Sequence, residues 1–458
     1  MSSILEHLGA HVARAYRTKL PEPVRQAARL HLADTVGAWI AAAGTPEARA
    51  LLRFTSARDP IAGSAGSNPF GEAIPGRVAV NCALARLSEV DDIHLGSGTT
   101  PGALVVPAAL TMGAALGSPG AAISEAVAVG YDAMVRLGAA LDGARILYRG
   151  IWPTYFTAPF GVAATAVRLF GLSEVRSAHA LGIALSLASP SVGRQSGAEM
   201  ARWLAIGNAA RNGVFAALAA RAGFTADLNI FEGDLFSSIY NMTPDKAALA
   251  GAPDDRPALL ETSFKPWCAA RQTMAAAQAL REILESGVAA SEISGLVVSV
   301  PPPYFRMIDH GIVAGDRASH LTSVSYQLAQ AAFAPGAMLD AKQAPDSVPD
   351  EMREFMRKVN VKADEELLRH FPMSWPARLE VRAQSGAHEK LVLHVPGDPQ
   401  RPFDESMLAA KFRRATTPLI GEPKADELLR SCLTTLDAKE PPKALLDGIE
   451  RAVVNGEK

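Results

Sequence analysis

The sequence predicts a mostly α-helical protein with an inserted α+β domain, and three observations support this fold class. Apolar residues recur at helical spacing through Ala- and Gly-rich stretches up to about residue 250. A β-branched run and an alternating segment then follow between residues 293 and 395. Helical periodicity returns after residue 405. We therefore expect an all-α domain over 1–261 and 398–458, and an α+β domain over 262–397.

The helical domain is marked by start and stop signals. "PEPVRQAARLHLADTVGAWIAAAG" (Pro21–Gly44) has proline in its first turn and glycine at its end, as helices often do. In "LSEVRSAHALGIALSLAS", Ser173 precedes Glu174 and a periodic apolar run, which predicts an N-cap. Several of these segments are apolar on nearly every side, so we expect central helices.

Two strand-like segments predict the α+β domain. "EISGLVVSVPPPYF" carries Val297, Val298 and Val300 and ends at three prolines. "ARLEVRAQSGAHEKLVLHVPG" alternates, reverses at Ser385–Gly386 and resumes at Leu391, which predicts a hairpin with one solvated face. Between these segments, "SVSYQLAQAAFA" and "DEMREFMRKV" have helical periodicity.

Composition excludes several classes of protein. The chain has 458 residues, too many for one ordinary core, and a net charge of −2 without a basic stripe, which argues against nucleic-acid binding. Cys82, Cys268 and Cys432 are far apart and form no ligand-like cluster, so neither a disulfide framework nor a metal site is expected. Prolines and glycines interrupt the uncharged stretch 95–123, and no signal peptide is apparent. We expect a cytoplasmic protein that does not bind membranes.

An acidic segment precedes one of the apolar helices. "SEVDDIHLGSGTTPGALVVPAAL" (Ser88–Leu110) opens with Glu89, Asp91 and Asp92 and then has no further acidic or basic residue except His94. Carboxylates at this place can cap a helix, lie in solvent or transfer protons. The segment alone leaves these three roles open.

With further segments, this stretch resembles the MmgE/PrpD family, which includes 2-methylcitrate dehydratase, cis-aconitate decarboxylase and iminodisuccinate epimerase. The other matching segments are "LADTVGAWIAAAG", "GYDAMVRLGAAL", "RGIWPTYFTAPFGVAATAVRLFGL", "AHALGIALSLAS", "IGNAARNGVFAALAARAGFT", "ETSFKPWCAARQT" and "LAAKFRR". The resemblance implies a homodimer of two-domain subunits, in which the smaller domain closes as a lid over a cleft. It also implies proton abstraction next to a carboxylate of a small metabolite, without metal or organic cofactor.

Several positions depart from the family pattern. Glu89-Val90-Asp91-Asp92 stands where the family usually reads D-F-D-D. Thr100, Trp152 and Met274 replace histidines, and Arg202 replaces a catalytic lysine, while Lys265 and Arg271 match. Threonine, tryptophan and methionine cannot exchange protons at neutral pH as imidazole does. An arginine stays charged, so it can bind a carboxylate but cannot act as a base.

The resemblance and these departures together predict the site. We expect Glu89, Asp92 and Tyr148 to be catalytic, and the following residues to bind substrate: Asp91, Thr100, Trp152, Tyr155, Arg202, Lys265, Arg271 and Met274. Asp91, Tyr155, His94 and Lys265 remain alternative proton carriers. We expect no metal and no cofactor.

The predicted function is a lyase or isomerase that acts on a small carboxylate. The reaction is a dehydration, decarboxylation, epimerisation or cyclisation in biosynthesis, rather than 2-methylcitrate dehydration itself. The alternative is a non-catalytic homologue that binds a ligand or a partner on the same fold. His31 and His179 lie on predicted helices, where we expect packed or surface residues.

Overall fold

The computed structural model describes residues 2–17, 20–56, 74–189, 199–251, 257–342, 344–345 and 347–456. They divide into two compact units. The first comprises the described residues up to 189, Met200–Phe264 and the chain from Asp404 onward, and the second is Lys265–Phe403. The secondary-structure elements described in the first unit are all helices, whereas the second unit also contains a sheet. The predicted fold class is therefore confirmed.

The elements are named in chain order. The first unit begins with α1 Ile4–Arg14, α2 Glu22–Ala41, α3 Pro46–Ser56, α4 Ile74–Leu87, α5 Gly102–Leu116, α6 Gly120–Ala140, α7 Gly143–Ile146, α8 Pro153–Leu169, α9 Glu174–Ser186, α10 Ala201–Arg221, α11 Leu235–Tyr240, α12 Lys246–Ala250 and α13 Ala258–Glu261. The second unit contains α14 Arg271–Glu285, β1 Ile293–Val300, α15 Pro302–Ile308, α16 Arg317–Thr322, α17 Val324–Phe333, α18 Asp350–Arg357, β2 Val359–Ala363, β3 Ala377–Ala383 and β4 Gly386–Val392. The chain returns to the first unit with α19 Glu405–Ile420, α20 Glu422–Thr435 and α21 Lys443–Asn455. Short 3-10 turns lie at Ala42–Gly44, Leu147–Arg149, Ala290–Glu292, Pro335–Leu339 and Glu365–Arg369.

Helix α5 lies at the centre of the first unit. Its residues from Gly102 to Gly113 are all buried, and it packs against α4, α6 and α8. Small residues allow neighbouring helices to approach closely. A Cβ on Gly130 of α6, for example, would lie 2.2 Å from Oγ1 of Thr165 on α8. Among the described helices, none is both long and apolar enough to cross a membrane.

Local signals in the sequence recur in the structure. Helix α2 begins directly after Pro21, and the 3-10 turn that follows it ends at Gly44. Ser173 caps α9, because its side chain accepts a hydrogen bond from the Arg176 backbone N–H. The start of α2 and the N-cap of α9 were both predicted from residue type and spacing alone.

The sheet of the second unit has the strand order β2-β1-β3-β4. Strand β1 is parallel to β2 and antiparallel to β3. The predicted strand β1 is confirmed, and the prolines that end it also begin α15. The prediction for "DEMREFMRKV" was wrong at its end, because α18 stops at Arg357 and Val359–Ala363 forms β2. This strand is defined by pairing with β1, which lies more than fifty residues earlier in the chain.

The predicted hairpin is formed by β3 and β4, but the apolar alternation that we expected to resume at Leu391 does not coincide with the buried face. Ala383 pairs with Gly386, and Leu379 pairs with Lys390. Val392 therefore lies on the buried face, while Leu391 faces away and is 36% exposed. Side chains alternate along a strand, so a difference of one residue at the turn moves every side chain to the opposite face.

Candidate functional site

The acidic segment forms a turn between α4 and α5, here called the acidic turn (residues 88–92). Nη1 of Arg86, in the last turn of α4, lies 2.7 Å from Oε2 of Glu89 and 3.1 Å from Oδ1 of Asp91. Burial alone would lower the pKa of Arg86, but the carboxylates of Asp91 and Glu89 raise it above its usual value. Asp91 is fully buried, whereas the Glu89 side chain is 16% exposed. One buried arginine therefore holds two carboxylates of the turn.

Glu89 adopts a backbone conformation that is uncommon for its residue type. Its φ angle is +58°, in the left-handed region that favours glycine. Non-glycine residues are held in this region only where the surrounding contacts enforce it, and such sites are often functional. The ion pair with Arg86 is one of these contacts.

Asp92 caps helix α5 and binds two further donors. Its Oδ1 accepts a hydrogen bond from the Gly102 N–H at 2.8 Å. Its Oδ2 accepts from the Tyr131 hydroxyl at 2.6 Å and lies 2.7 Å from Nδ1 of His31. A Cβ on Gly102 would lie 2.6 Å from Oδ2, so the contact requires glycine. Of the three roles considered for the carboxylates, Asp92 therefore has that of a helix cap.

His31 is part of this buried network, although we expected it to be a packed or surface residue. Its Nε2 lies 3.1 Å from the Leu259 carbonyl oxygen. The ring stacks on Phe264 with centroids 4.4 Å apart. Burial, followed by the charge of Asp92, raises the pKa of Tyr131 well above its usual value, so the phenol stays a donor.

A buried lysine from the C-terminal part of the chain fixes the acidic turn from another side. Nζ of Lys411, on α19, lies 2.5 Å from Oδ1 of Asp34 and 3.1 Å from the Val90 carbonyl oxygen. Neither Lys411 nor Asp34 was among the predicted site residues, and His31 was expected only as a packed or surface residue. Their signal in the sequence is the presence of polar side chains on the apolar faces of α2 and α19.

Arg202 lies against aromatic side chains in the first unit. This residue of α10 is 7% exposed, and its guanidinium carbon is 5.4 Å from the ring centroid of Trp152 and 5.8 Å from that of Trp203. Tyr155, in the first turn of α8, meets Trp152 edge to face at 5.6 Å. A guanidinium over an aromatic face makes a cation–π contact, which holds its charge in place.

Tyr155 connects Arg202 electrostatically with the acidic turn. Burial raises the pKa of Tyr155 to about 12, and the positive charges of Arg86 and Arg202 oppose this shift. The charges of Glu89 and Asp91 also act on the phenol and raise its pKa further. Five predicted site residues of the first unit are connected by the ring contacts of Trp152 and by the charges that act on Tyr155, and they are here called the Glu89–Arg202 cluster: Glu89, Asp91, Trp152, Tyr155 and Arg202.

Three further polar residues, His94, Thr100 and Tyr148, lie close to the members of this cluster along the chain. The backbone N–H of Thr100 donates to Thr154 Oγ1 at 3.1 Å, and the two hydroxyl oxygens are 3.3 Å apart. His94 Nδ1 lies 3.0 Å from Ser97 Oγ, within the loop that leads to α5. Tyr148 is half-buried in the 3-10 turn Leu147–Arg149. Thr100 thus joins the start of α5 to the first turn of α8 through neutral hydrogen bonds.

The remaining predicted site residues belong to the second unit. Lys265 is 2% exposed, and Met274 is fully buried in α14. Nη2 of Arg271, at the start of α14, lies 2.7 Å from Oδ2 of Asp398, which also accepts from the Val395 N–H at 2.8 Å. Arg271 therefore fastens the chain after β4 to α14 through a buried ion pair. Within the described segments, no three His, Cys, Asp or Glu side chains are grouped as a metal site would require.

Comparison with known proteins identifies the family. Residues 6–245 match the MmgE/PrpD N-terminal domain, and residues 267–435 match the MmgE/PrpD C-terminal domain. Cis-aconitate decarboxylase from Aspergillus terreus is 30% identical over 224 residues, which cover 46% of this chain and 44% of that protein. The cis-aconitate decarboxylase-like protein oryM from Aspergillus oryzae is 31% identical over 163 residues, 33% of each chain. The chain thus matches less than half the length of these curated relatives. Since the two family domains account for most of its residues, the chain belongs to the MmgE/PrpD family.

Proposed function

We propose that this protein is a lyase-type enzyme that removes a proton from a carbon next to a carboxylate of a small metabolite. The proposal rests on Glu89, which is held by Arg86, and on Arg202 and Tyr155, which both contact the Trp152 ring. Glu89, Tyr155 and Arg202 supply a carboxylate, a phenol and a guanidinium, which are the groups that proton abstraction from an organic acid requires. Membership of the MmgE/PrpD family supports the reaction class.

Glu89 is the proposed general base. Asp92 already accepts from three donors, and Asp91 is fully buried beside Arg86. Glu89 has the partly exposed carboxylate of the acidic turn, so a substrate can reach it without unfolding the turn. The ion pair with Arg86 fixes the position of this carboxylate in the turn.

Arg202 and Tyr155 are the proposed binding groups. The guanidinium of Arg202 can bind the substrate carboxylate through two parallel N–H donors. As the proton leaves the carbon for Glu89, negative charge develops on that carboxylate, and the same donors stabilise it. Because its pKa is raised to about 12, Tyr155 remains protonated at neutral pH and donates a hydrogen bond or a proton.

The first substrate to test is cis-aconitate, since two curated relatives carry the name cis-aconitate decarboxylase. In a decarboxylation, the carbon–carbon bond to the carboxylate breaks, carbon dioxide leaves, and the electron pair left on the carbon takes a proton from an acid, for which the protonated Tyr155 is the candidate. Dehydration, epimerisation and cyclisation share the proton-abstraction step and remain part of the proposal. Roles for Asp92, Tyr148, Thr100, Lys265, Arg271 and Met274, a lid function of the second unit and a homodimer stay predictions.

Proton NMR in deuterated water tests the proposal. The protein is incubated with cis-aconitate, 2-methylcitrate and related acids, and loss of a substrate C–H signal reports exchange or turnover. Removing the base, Glu89→Gln, is expected to reduce the rate by about 10²–10⁴-fold, because general base catalysis contributes that much. Glu22→Gln, which removes an exposed carboxylate from α2, is the matched control and leaves the rate unchanged.

A ligand-binding homologue without catalysis is the second candidate. It is favoured by one observation, the pairing of the acidic carboxylates with Arg86 and with the donors around Asp92. Binding of these acids in calorimetry, with no exchange after prolonged incubation, would support this candidate and exclude the lyase. Unchanged exchange in Glu89→Gln would instead assign the proton transfer to another residue.

A further inference from the structure

The second unit contains a cleft that none of the predicted site residues lines. Its volume is about 350 Å³, within the range of small-molecule sites of roughly 300–1,000 Å³. The lining residues come from the end of α15, the start of α17, helix α18 and strand β2: Ile308, Asp309, His310, Gly311, Val324, Ser325, Arg353, Met356, Arg357, Val359 and Val361.

The floor of the cleft is apolar. Val359 and Val361 alternate on β2 and pair with Leu296 and Val298 of β1, which are buried. All four side chains therefore lie on the core face of the sheet. Because β2 is an edge strand, this face is incompletely covered at β2, and Met356 of α18 borders the gap. Such a floor suits a short aliphatic group.

The rim of the cleft carries two arginine side chains. Arg353 and Arg357 lie one turn apart on the same side of α18. Arg353 is held by Asp350 at 2.9 Å and by the Val348 carbonyl oxygen at 2.8 Å. Arg357 is exposed and has no ion pair with any residue that the structure describes. Asp309 is the one acidic residue among those that line the cleft.

One wall of the cleft is fixed by hydrogen bonds. Ser323 Oγ donates to the His310 carbonyl oxygen at 2.7 Å, and His310 Nδ1 donates to the Gly311 carbonyl oxygen at 2.7 Å. His310 Nε2 lies 3.0 Å from Thr322 Oγ1. The segment after α15 is therefore held against the start of α17, so ligand binding need not order it first.

From this combination we propose that the cleft binds a small organic anion with a short apolar body. The charged group lies at Arg357, and the aliphatic part packs against Met356 and Val361. The guanidinium binds carboxylate and phosphate groups alike, so both headgroups belong to the proposed class. This site is independent of the proposed reaction and consists only of residues of the second unit.

Methyl NMR on the full chain tests this site. With methionine methyl groups labelled and Met356 assigned from Met356→Leu, the protein is titrated with hexanoate, hexanamide, hexyl phosphate and inorganic phosphate. Hexanoate or hexyl phosphate is expected to shift the Met356 signal saturably, while hexanamide and inorganic phosphate do not. A preference between the two anions identifies the headgroup.

Two variants complete the test. Arg357→Gln is expected to weaken binding about tenfold, as the loss of a charge-assisted hydrogen bond does. Lys362→Gln removes an exposed positive charge from the opposite face of β2 and should leave the affinity unchanged. Four results would each overturn the proposal. They are equal binding of hexanamide, competition by inorganic phosphate alone, no shift with any probe, and an unaltered affinity in Arg357→Gln. Arg357 is exposed, so its variant is expected to fold, which a thermal melt verifies.

Discussion

The buried carboxylate of Asp92 allows a quantitative prediction for Asp92→Asn. In the protein, three donors converge on it, at distances of 2.6, 2.7 and 2.8 Å. An asparagine side chain has nearly the same shape but is neutral and replaces one acceptor oxygen with an NH₂ group. With the NH₂ towards Tyr131 and His31, the hydroxyl and the imidazole would have to rearrange their own protons to accept from it. If the amide oxygen points to Tyr131 and His31, the NH₂ opposes the N–H of Gly102.

The expected cost follows from burial. Asp92 is fully buried and His31 is 1% exposed, so solvent cannot replace the lost partner. Losing hydrogen bonds to a buried charged group costs about 3 kcal/mol, which lowers the Tm by roughly 5 °C in a unit of this size.

Differential scanning calorimetry of the full chain measures this shift. Glu22→Gln is the matched control, since its side chain is exposed and its variant should melt within about 2 °C of the wild type. An Asp92→Asn variant that melts with the wild type would refute the reasoning. So would an equal loss in both variants, because the network around Asp92 would then carry no particular stability.

Two further predictions concern other charged groups. Lys411→Met leaves the buried Asp34 without its cation and is expected to lower the free energy of unfolding by about 3–5 kcal/mol. Adding Asp34→Asn should recover part of this loss. A double-mutant cycle measured by urea denaturation checks the coupling, and additive losses would contradict it. Burial alone would raise the pKa of Glu282, but side-chain hydrogen bonds, those from Lys390 and Arg401 among them, lower it to about 2. Its contribution to stability is thus complete above the unfolded pKa of about 4.3 and is lost as the pH falls towards 2. Melting of the wild type and Glu282→Gln between pH 6 and 2.5 tests this, since the variant should lose less stability on acidification.

Local patterns in the sequence predicted most of the fold. Helix α2, the cap of α9, strand β1 and the β3–β4 hairpin follow from residue types within a few positions of one another. Strand β2 was missed because its pairing with β1 is a contact between distant parts of the chain. The exposure of the Leu391 side chain was not predicted, because it depends on the register of the turn rather than on composition.

The candidate site was predictable to a similar extent. The acidic turn and Arg202 could be identified from motif positions, and the structure brings both into the surroundings of Tyr155. The cap made by Asp92 and its contact with His31 could not, since their sequence separation is 61 residues. Asp92 and Glu89 both carry a carboxylate. Only their contacts show that Asp92 accepts hydrogen bonds from three donors whereas Glu89 is partly exposed.

The contact of Lys411 with the Val90 carbonyl oxygen also bears on how the protein is made. The acidic turn leaves the ribosome before the ammonium group that fixes it, which is encoded more than three hundred residues later. A nascent chain therefore carries the whole turn long before its buried lysine arrives. Products truncated before α19 would contain every residue of the Glu89–Arg202 cluster, yet lack the cation that holds Asp34 and Val90 in place.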